Sequence, residues 1–337
     1  MKLTFFDKFP ETRELKFIPK LNAQNEIMIK TILSGLGLLL VMVSSFAQGN
    51  RKQGIEGRWD IEINKDGRIF PSWLEVVHSG NRVMVGYFVG ISGSSRPVSK
   101  ININGDKFSF SIPPQWEDGD GDLKVEGTIS GNQLTGTMTM PDSKTFPFTA
   151  TPAPSLRKPF ENVQWGTPVK LFNGKDLTGW TALGQNQWVV EDGILRSPKS
   201  GSNIRTEKTF NDFKLHIEFR YPKGSNSGVY LRGRYEVQVS DNKGGEPTKG
   251  DYGAIYGFIA PNQMVAAAAG EWQTYDITLI GRMVTVVANG KTIVSNQEIP
   301  GITGGALDSK EGEPGPIMIQ GDHGAIEYRN IILTPAR

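Results

Sequence analysis

The stretch Asn226–Asp241, "NSGVYLRGRYEVQVSD", decides how the second half of the chain folds. Val229, Leu231, Tyr235, Val237 and Val239 share one side of an alternating pattern, the period of a strand laid against a core. Between them stand Tyr230, Arg232, Arg234, Glu236 and Gln238, a heavier load of charge and amide than a solvated face requires. That second face reads as the floor of a site. Register is at stake at "RGRY". A continuous or bulged strand keeps Arg232 and Glu236 on one face, whereas a two-residue turn at Gly233-Arg234 pairs Arg232 with Tyr235 and separates them.

Outward from this stretch the alternation continues. Strands are predicted at 188–191, 194–196, 203–206, 213–221, 228–232, 235–240, 273–280, 283–288, 291–295, 316–320 and 325–333. Helical spacing is confined to the short stretch 264–269. Before residue 151, eight strands are predicted at 59–63, 72–78, 82–89, 100–104, 107–112, 123–129, 133–140 and 145–150. "KDG", "SGN", "NGD" and "EDGDGD" punctuate them, the signature of an antiparallel meander. The expected fold class is therefore all-β: a small antiparallel barrel or sandwich at 55–150, a proline-rich linker at 151–164, and a second β-sandwich at 165–335.

Composition removes several classes of function. The 337 residues hold no cysteine, which excludes disulfides, thiolate metal sites and a cysteine nucleophile. Lys and Arg exceed Asp and Glu by only 37 to 35, with no basic block, so nothing points to nucleic acid as a partner. The three histidines, His78, His216 and His323, would all be needed for a three-histidine metal centre. A Walker-type phosphate loop, a serine nucleophile elbow and an HExxH motif are absent. The acidic run Glu117–Asp122 lacks the later glutamate of a calcium loop and reads as a hairpin turn.

The N-terminus carries an address. "MIKTILSGLGLLLVMVSSFAQ", Met28–Gln48, combines a lysine, an apolar run and the small-residue ending Ser45–Ala47 of a signal peptide at 28–47. Its apolar core is short for a bilayer span, so cleavage near Ala47 and export to a periplasm or the outside are expected, with no membrane span in the mature chain. Residues 1–27 are expected to hold no structure and fit a start assigned upstream of the natural one. The sequence leaves the oligomeric state open.

"LFNGKDLTGW" at Leu171–Trp180 brings in a specific resemblance, and "WVVEDGIL", "FKLHIEFR", the opening stretch, "GEWQTYDITLIGRMVTVVANGK" and "IMIQGDHGAIEYRNIIL" follow it in order. Over about residues 165–335 the chain resembles the 3-keto-disaccharide hydrolase domain family. The resemblance implies a concanavalin-like jelly roll and action on 3-keto-glycosides by β-elimination, hydration or both. It extends to no motif of the first domain. The E-x-D-x-E strand of related jelly-roll glucanases, which supplies their carboxylate pair, is missing here, and that departure favours elimination over direct hydrolysis.

A ketone at sugar C3 acidifies the proton on C2, so the chemistry needs a base, a donor or cation for the enediolate, and an acid for the leaving oxygen. Glu236, Arg232 and His323 are the expected catalytic residues. Each also has a plainer reading: Arg232 with Glu236 as an ion pair, His323 as a structural loop histidine. Asn226, Tyr230, Gln238, Glu218 and Gln320 are expected to meet sugar hydroxyls if their strands neighbour one another and merge their polar faces. His216 reads as a sheet-surface residue and His78 as structural. Tyr252 and Tyr256 lie in a glycine-rich segment, 241–272, long enough to be a functional loop. They would either stack on a ring or pin that loop to the sheet. A divalent metal could serve the enediolate, with Asp241 and Glu236 as candidate ligands. Asp241 could equally cap the following loop, and no ligand spacing establishes a metal. A non-catalytic carbohydrate-binding module is the rival reading of the same sandwich.

Overall fold

Short alternating segments bounded by glycine and aspartate turns can satisfy their backbones only by pairing side by side, and they do so here in antiparallel ladders throughout. The computed structural model describes residues 54–337. The expected signal peptide at 28–47 and the segment before it lie outside these residues.

The first eight strands are β1 Gly57–Lys65, β2 Arg68–Ser79, β3 Val83–Val89, β4 Arg96–Asn104, β5 Lys107–Ile112, β6 Leu123–Ser130, β7 Gln133–Thr139 and β8 Thr145–Pro152. They close into a barrel in sequence order, β1 pairing with β8. Along β1, Trp59, Ile61 and Ile63 are buried, and they join Leu74, Phe88, Phe110 and Phe148 in one core. Turn chemistry follows the sequence. In the "KDG" turn, Asp66 and Gly67 both take positive φ between the paired Lys65 and Arg68, the two-residue hairpin geometry that matches strand twist.

The remaining strands are β9 Val169–Lys170, β10 Trp180–Ala182, β11 Val189–Glu191, β12 Ile194–Ser197, β13 Ile204–Thr206, β14 Phe213–Arg220, β15 Asn226–Leu231, β16 Tyr235–Ser240, β17 Gln273–Ile280, β18 Met283–Ala288, β19 Lys291–Glu298, β20 Met318–Ile319 and β21 Ile326–Pro335. They form a jelly-roll sandwich. One sheet has the order β10-β13-β20-β15-β16; the other runs β11-β12-β21-β14-β17-β18-β19, with β9 on β21. Among the described residues there is no helix, and the stretch 264–269 is irregular. The two-residue strand β9 and the strand β10 are short additions that alternation did not mark.

Sandwich geometry overturns one expectation. β14 buries Phe213, Leu215, Ile217 and Phe219, and the opening stretch buries Val229, Leu231, Val237 and Val239 against the same core. The strands belong to different sheets, so their polar faces point in opposite directions and cannot merge. Glu218 lies on the outside of the larger sheet, bonded by Arg329 Nε at 2.6 Å and Asn330 Nδ2 at 2.7 Å. His216 sits beside it, 2.7 Å from Asp276.

Barrel and sandwich make one compact unit. Trp73 and Val89 of the barrel belong to the sandwich core, Trp73 meeting Phe258 edge-on at 5.3 Å. Ser309 Oγ donates to Ile61 O at 2.6 Å, and Arg58 pairs with Glu298 at 2.8 Å. The proline-rich stretch 151–164 is itself tied down: Arg282 N–H donates to Leu156 O at 3.0 Å and the Arg282 guanidinium to Pro154 O at 3.0 Å.

Candidate active site

The question posed at Gly233 has a third answer. Leu231 pairs with Tyr235 and Tyr230 with Glu236, so the turn is a three-residue loop, Arg232-Gly233-Arg234. Arg232 and Gly233 both take positive φ, 52° and 67°. An odd loop preserves the parity of the faces, which keeps Tyr230, Glu236 and Gln238 together; a two-residue turn would have split them.

Arg232 is lost to the site. It lies in the loop, 2% exposed, donating to Tyr235 Oη at 3.0 Å and to Gly281 O at 2.8 Å, with its guanidinium 5.2 Å from the Tyr235 ring. The ion pair with Glu236, the plainer reading of these two residues, does not form. Arg234 likewise turns away, to Asp308 at 2.6 Å.

Glu236 instead stands at the floor of a cavity of about 500 Å³, within the range of small-molecule sites. Its side chain is 3% exposed, and burial pushes its pKa up to about 8 against the opposing bond from Tyr230 and the charge of His323. Tyr230 Oη lies 2.9 Å from both Glu236 Oε2 and Gly304 O. One hydroxyl hydrogen cannot serve both acceptors. With Glu236 protonated, its proton goes to Tyr230 Oη and the tyrosine donates to Gly304, so every partner is satisfied. The Glu236 backbone is fixed as well, its N–H donating to Thr303 Oγ1 at 3.0 Å and its carbonyl accepting from Tyr256 N at 3.0 Å.

Gly228 makes room for this carboxyl. A Cβ there would stand 2.1 Å from Glu236 Oε1. On the same floor Gln238 and Gln320 are 4% and 8% exposed, and both side-chain oxygens lack a hydrogen-bond partner. Unpaired buried acceptors are costly, and the two glutamines that carry them line one cavity, a setting suited to ligand hydroxyls. Asn226 and Asn203 border them.

His323 lines the cavity at its more open side, with Nδ1 2.6 Å from Asp322 Oδ1. That bond raises the imidazole pKa more than partial burial lowers it, and Glu236 adds to the rise. Bonding at Nδ1 leaves Nε2 as the free nitrogen. Tyr256 also lines the cavity, because the 241–272 segment folds back along β16: Gln238 and Ala254 pair through their backbones, as do Val237 and Ile255.

Other candidates lie elsewhere. Tyr252 is fully buried in the core against Phe219 and Tyr275, so it pins the loop. Asp241 accepts from Gly224 N at 3.0 Å, a loop-capping contact, and does not line the cavity with Glu236. Among the described residues no cluster of three or more histidine, cysteine or carboxylate side chains is arranged to hold a metal ion. Sequence reasoning missed the barrel's share: Ser92, Gly93 and Trp116 also line the cavity. The available signal was a lone tryptophan inside the polar turn "PPQWEDGD".

Residues 167–334 match the family model described as the 3-keto-alpha-glucoside-1,2-lyase-like domain. A 3-keto-disaccharide hydrolase of Bacteroides thetaiotaomicron is 28% identical over 91 residues, which are 23% of this chain and 31% of that protein. The match thus spans about a third of the curated relative. A crystal structure from Parabacteroides distasonis, provisionally named a glycosyl hydrolase, is 31% identical with a TM-score of 0.44, covering 52% of this chain and 92% of that one. A second structure of that provisional name and organism is 26% identical with a TM-score of 0.40, covering 50% and 98%. Through residues 167–334, this chain belongs to the 3-keto-alpha-glucoside-1,2-lyase-like domain family.

Proposed function

We propose that the protein is an exported enzyme that cleaves 3-keto-glycosides by β-elimination. The observation that carries this reading is a buried, neutral carboxyl, Glu236, sharing one cavity with an aspartate-oriented imidazole, His323. His323 Nε2 takes the C2 proton, and the electron pair delocalises onto the C3 ketone oxygen as an enediolate. Collapse of that enediolate forms the C1–C2 double bond and breaks the bond from C1 to the leaving oxygen. Glu236 gives its proton to that oxygen, so the products are an unsaturated keto sugar and a free alcohol. Addition of water across the new double bond would complete a net hydrolysis. Gln238, Gln320, Asn226 and Tyr256 bind and orient the sugar through their polar groups.

Incubation of the mature protein with a 3-keto-disaccharide and with its unoxidised parent tests the reading. Release of alcohol from the keto sugar alone is expected, with solvent deuterium appearing at C2 of recovered substrate or product. The unpaired amide oxygens would equally serve a non-catalytic carbohydrate-binding module, and binding of both sugars without turnover would establish that rival instead.

A further inference from the structure

The barrel lies outside the matched segment, yet its loops form part of the cavity wall. We infer that the barrel supplies a second sugar subsite, with Trp116 as the platform for the leaving-group ring of a glycoside whose keto ring rests over Glu236. The inference builds on the elimination reading above.

Trp116 is 70% exposed, the most exposed of the large apolar side chains among the described residues, although it borders a cavity. Its backbone is nevertheless braced from beneath. Glu117 Oε2 accepts from the N–H groups of Gln115 and Trp116 at 2.7 and 3.2 Å, and Glu117 pairs with Arg96 at 2.7 Å. Both ends of that pair are nearly buried, with side chains 10% and 9% exposed. Gln115 and Ser94 exchange two further bonds, at 3.0 and 2.9 Å. A turn held this firmly presents the Trp116 indole from a fixed backbone, so little backbone freedom remains to be lost when a ligand stacks on it.

The barrel loop is also pressed onto the sandwich side of the cavity. A Cβ on Gly304 would meet Gly93 O at 2.0 Å, and one on Gly257 would meet Ser95 N at 2.5 Å. Gly305 N–H donates to Ile91 O at 3.3 Å. The 91–95 loop is therefore a fixed wall of the site, and Gln115 ties the turn that carries Trp116 to it.

Depth orders the two rings. Glu236, Gln238 and Gln320, at 3%, 4% and 8% exposure, hold the floor, where C1 and C2 of the keto ring must lie for acid and base to reach them. The group leaving from C1 then extends toward the mouth, where the indole waits. A pyranose presents an apolar face of C–H groups, and an indole is a flat apolar partner with a polar edge. The chemical class assigned to this subsite is thus a neutral hexose or another flat-faced alcohol.

Calorimetric titration of the mature protein with an α-linked glucose disaccharide and with methyl α-glucoside, neither of which carries the ketone, reads the subsite without turnover. Wild type should bind the disaccharide more tightly, and Trp116→Ala should weaken disaccharide binding by about tenfold, the order of one aromatic stacking contact. The loss on methyl α-glucoside should be at least fivefold smaller, Trp116→Phe should restore most of the affinity, and melting temperatures should stay level. With the 3-keto-disaccharide, Trp116→Ala should raise KM far more than it lowers kcat. Disaccharide binding unchanged by Trp116→Ala, equal losses on both sugars, or no disaccharide preference in wild type each overturn the subsite. If wild type binds with that preference but turns over no keto sugar, the elimination reading falls and the subsite stands. Turnover that ignores Trp116 has the reverse meaning.

Discussion

Under the proposed elimination, Glu236 is the residue on which the chemistry turns, and its protonation sets the pH dependence. Burial raises its pKa from the ordinary carboxylate value to about 8, so below that pH it holds the proton the leaving oxygen needs. His323 must be neutral to act as base, and its pKa is raised by Asp322. The profile of kcat/KM should therefore rise as His323 loses its proton and fall as pH passes about 8. Glu236→Gln should lower kcat by about 10²–10⁴-fold and abolish the alkaline fall. Folding will not explain that loss: a neutral amide in a site that already favours the neutral acid should leave the melting temperature at pH 7 level or higher. Arg232 is predicted to behave in the opposite way. Its two hydrogen bonds and its stacking on Tyr235 hold a turn, so Arg232→Ala should cost about 2–3 kcal/mol of stability, measured by urea unfolding, and leave kcat/KM of the folded enzyme within a few-fold. A kcat loss comparable to that of Glu236→Gln would return Arg232 to the chemistry.

At the scale of the element, the β15–β16 hairpin brings the site together. Its three-residue loop keeps Tyr230, Glu236 and Gln238 on one face, and Gly228 opposite Gln238 leaves the space into which the Glu236 carboxyl leans. Gly228→Ala should force that carboxyl aside. The expected result is a kcat loss of about tenfold or more with a shifted alkaline limb, while circular dichroism and solubility stay native, because the obstructing atoms belong to a side chain. This hairpin also marks what alternation could and could not convey. Period-two patterning exposed nearly every strand and the polar face of this one, because burial on one side is a local property of sequence. The polar face of β14 is equally regular, yet it belongs to the other sheet. Which sheet a strand joins is decided by non-local pairing, here β14 with β17 and β21 and β15 with β20. The destination of Arg232 was hidden for the same reason, since its acceptor Gly281 is remote in sequence. Tyr256 entered through the fold-back of a glycine-rich loop on β16, and Trp116 through docking of the barrel, events that no residue spacing records.

At the scale of the whole molecule, barrel and sandwich meet around a buried acidic pair whose ionisation should be felt as stability. Asp60 on β1 is 6% exposed, with Oδ1 unpaired, and lies against the carboxyl of Glu311 from the sandwich. Glu311 is fully buried but well served, accepting from Tyr235 Oη at 2.9 Å and Arg282 at 3.0 Å. Desolvation first, and then the Glu311 charge and bond, push the Asp60 pKa up to about 9, outweighing Arg282 and Arg234. In the unfolded chain the same carboxyl loses its proton near about pH 3.9. Between those values the folded protein retains a proton that the unfolded chain has released. The stabilisation from neutral Asp60 is therefore complete below about pH 4, declines through the window, and is gone above about pH 9. An asparagine is neutral in both states and removes this slope. Asp60→Asn should melt with wild type near pH 4 and above it at higher pH, by roughly 10 °C at pH 8, on the order of 5 kcal/mol for a unit of this size. Melting curves from pH 4 to 9 on the two proteins give the comparison. A constant offset, or a gap that narrows as pH rises, would place the proton elsewhere and leave the barrel–sandwich junction held by its arginines and backbone bonds alone.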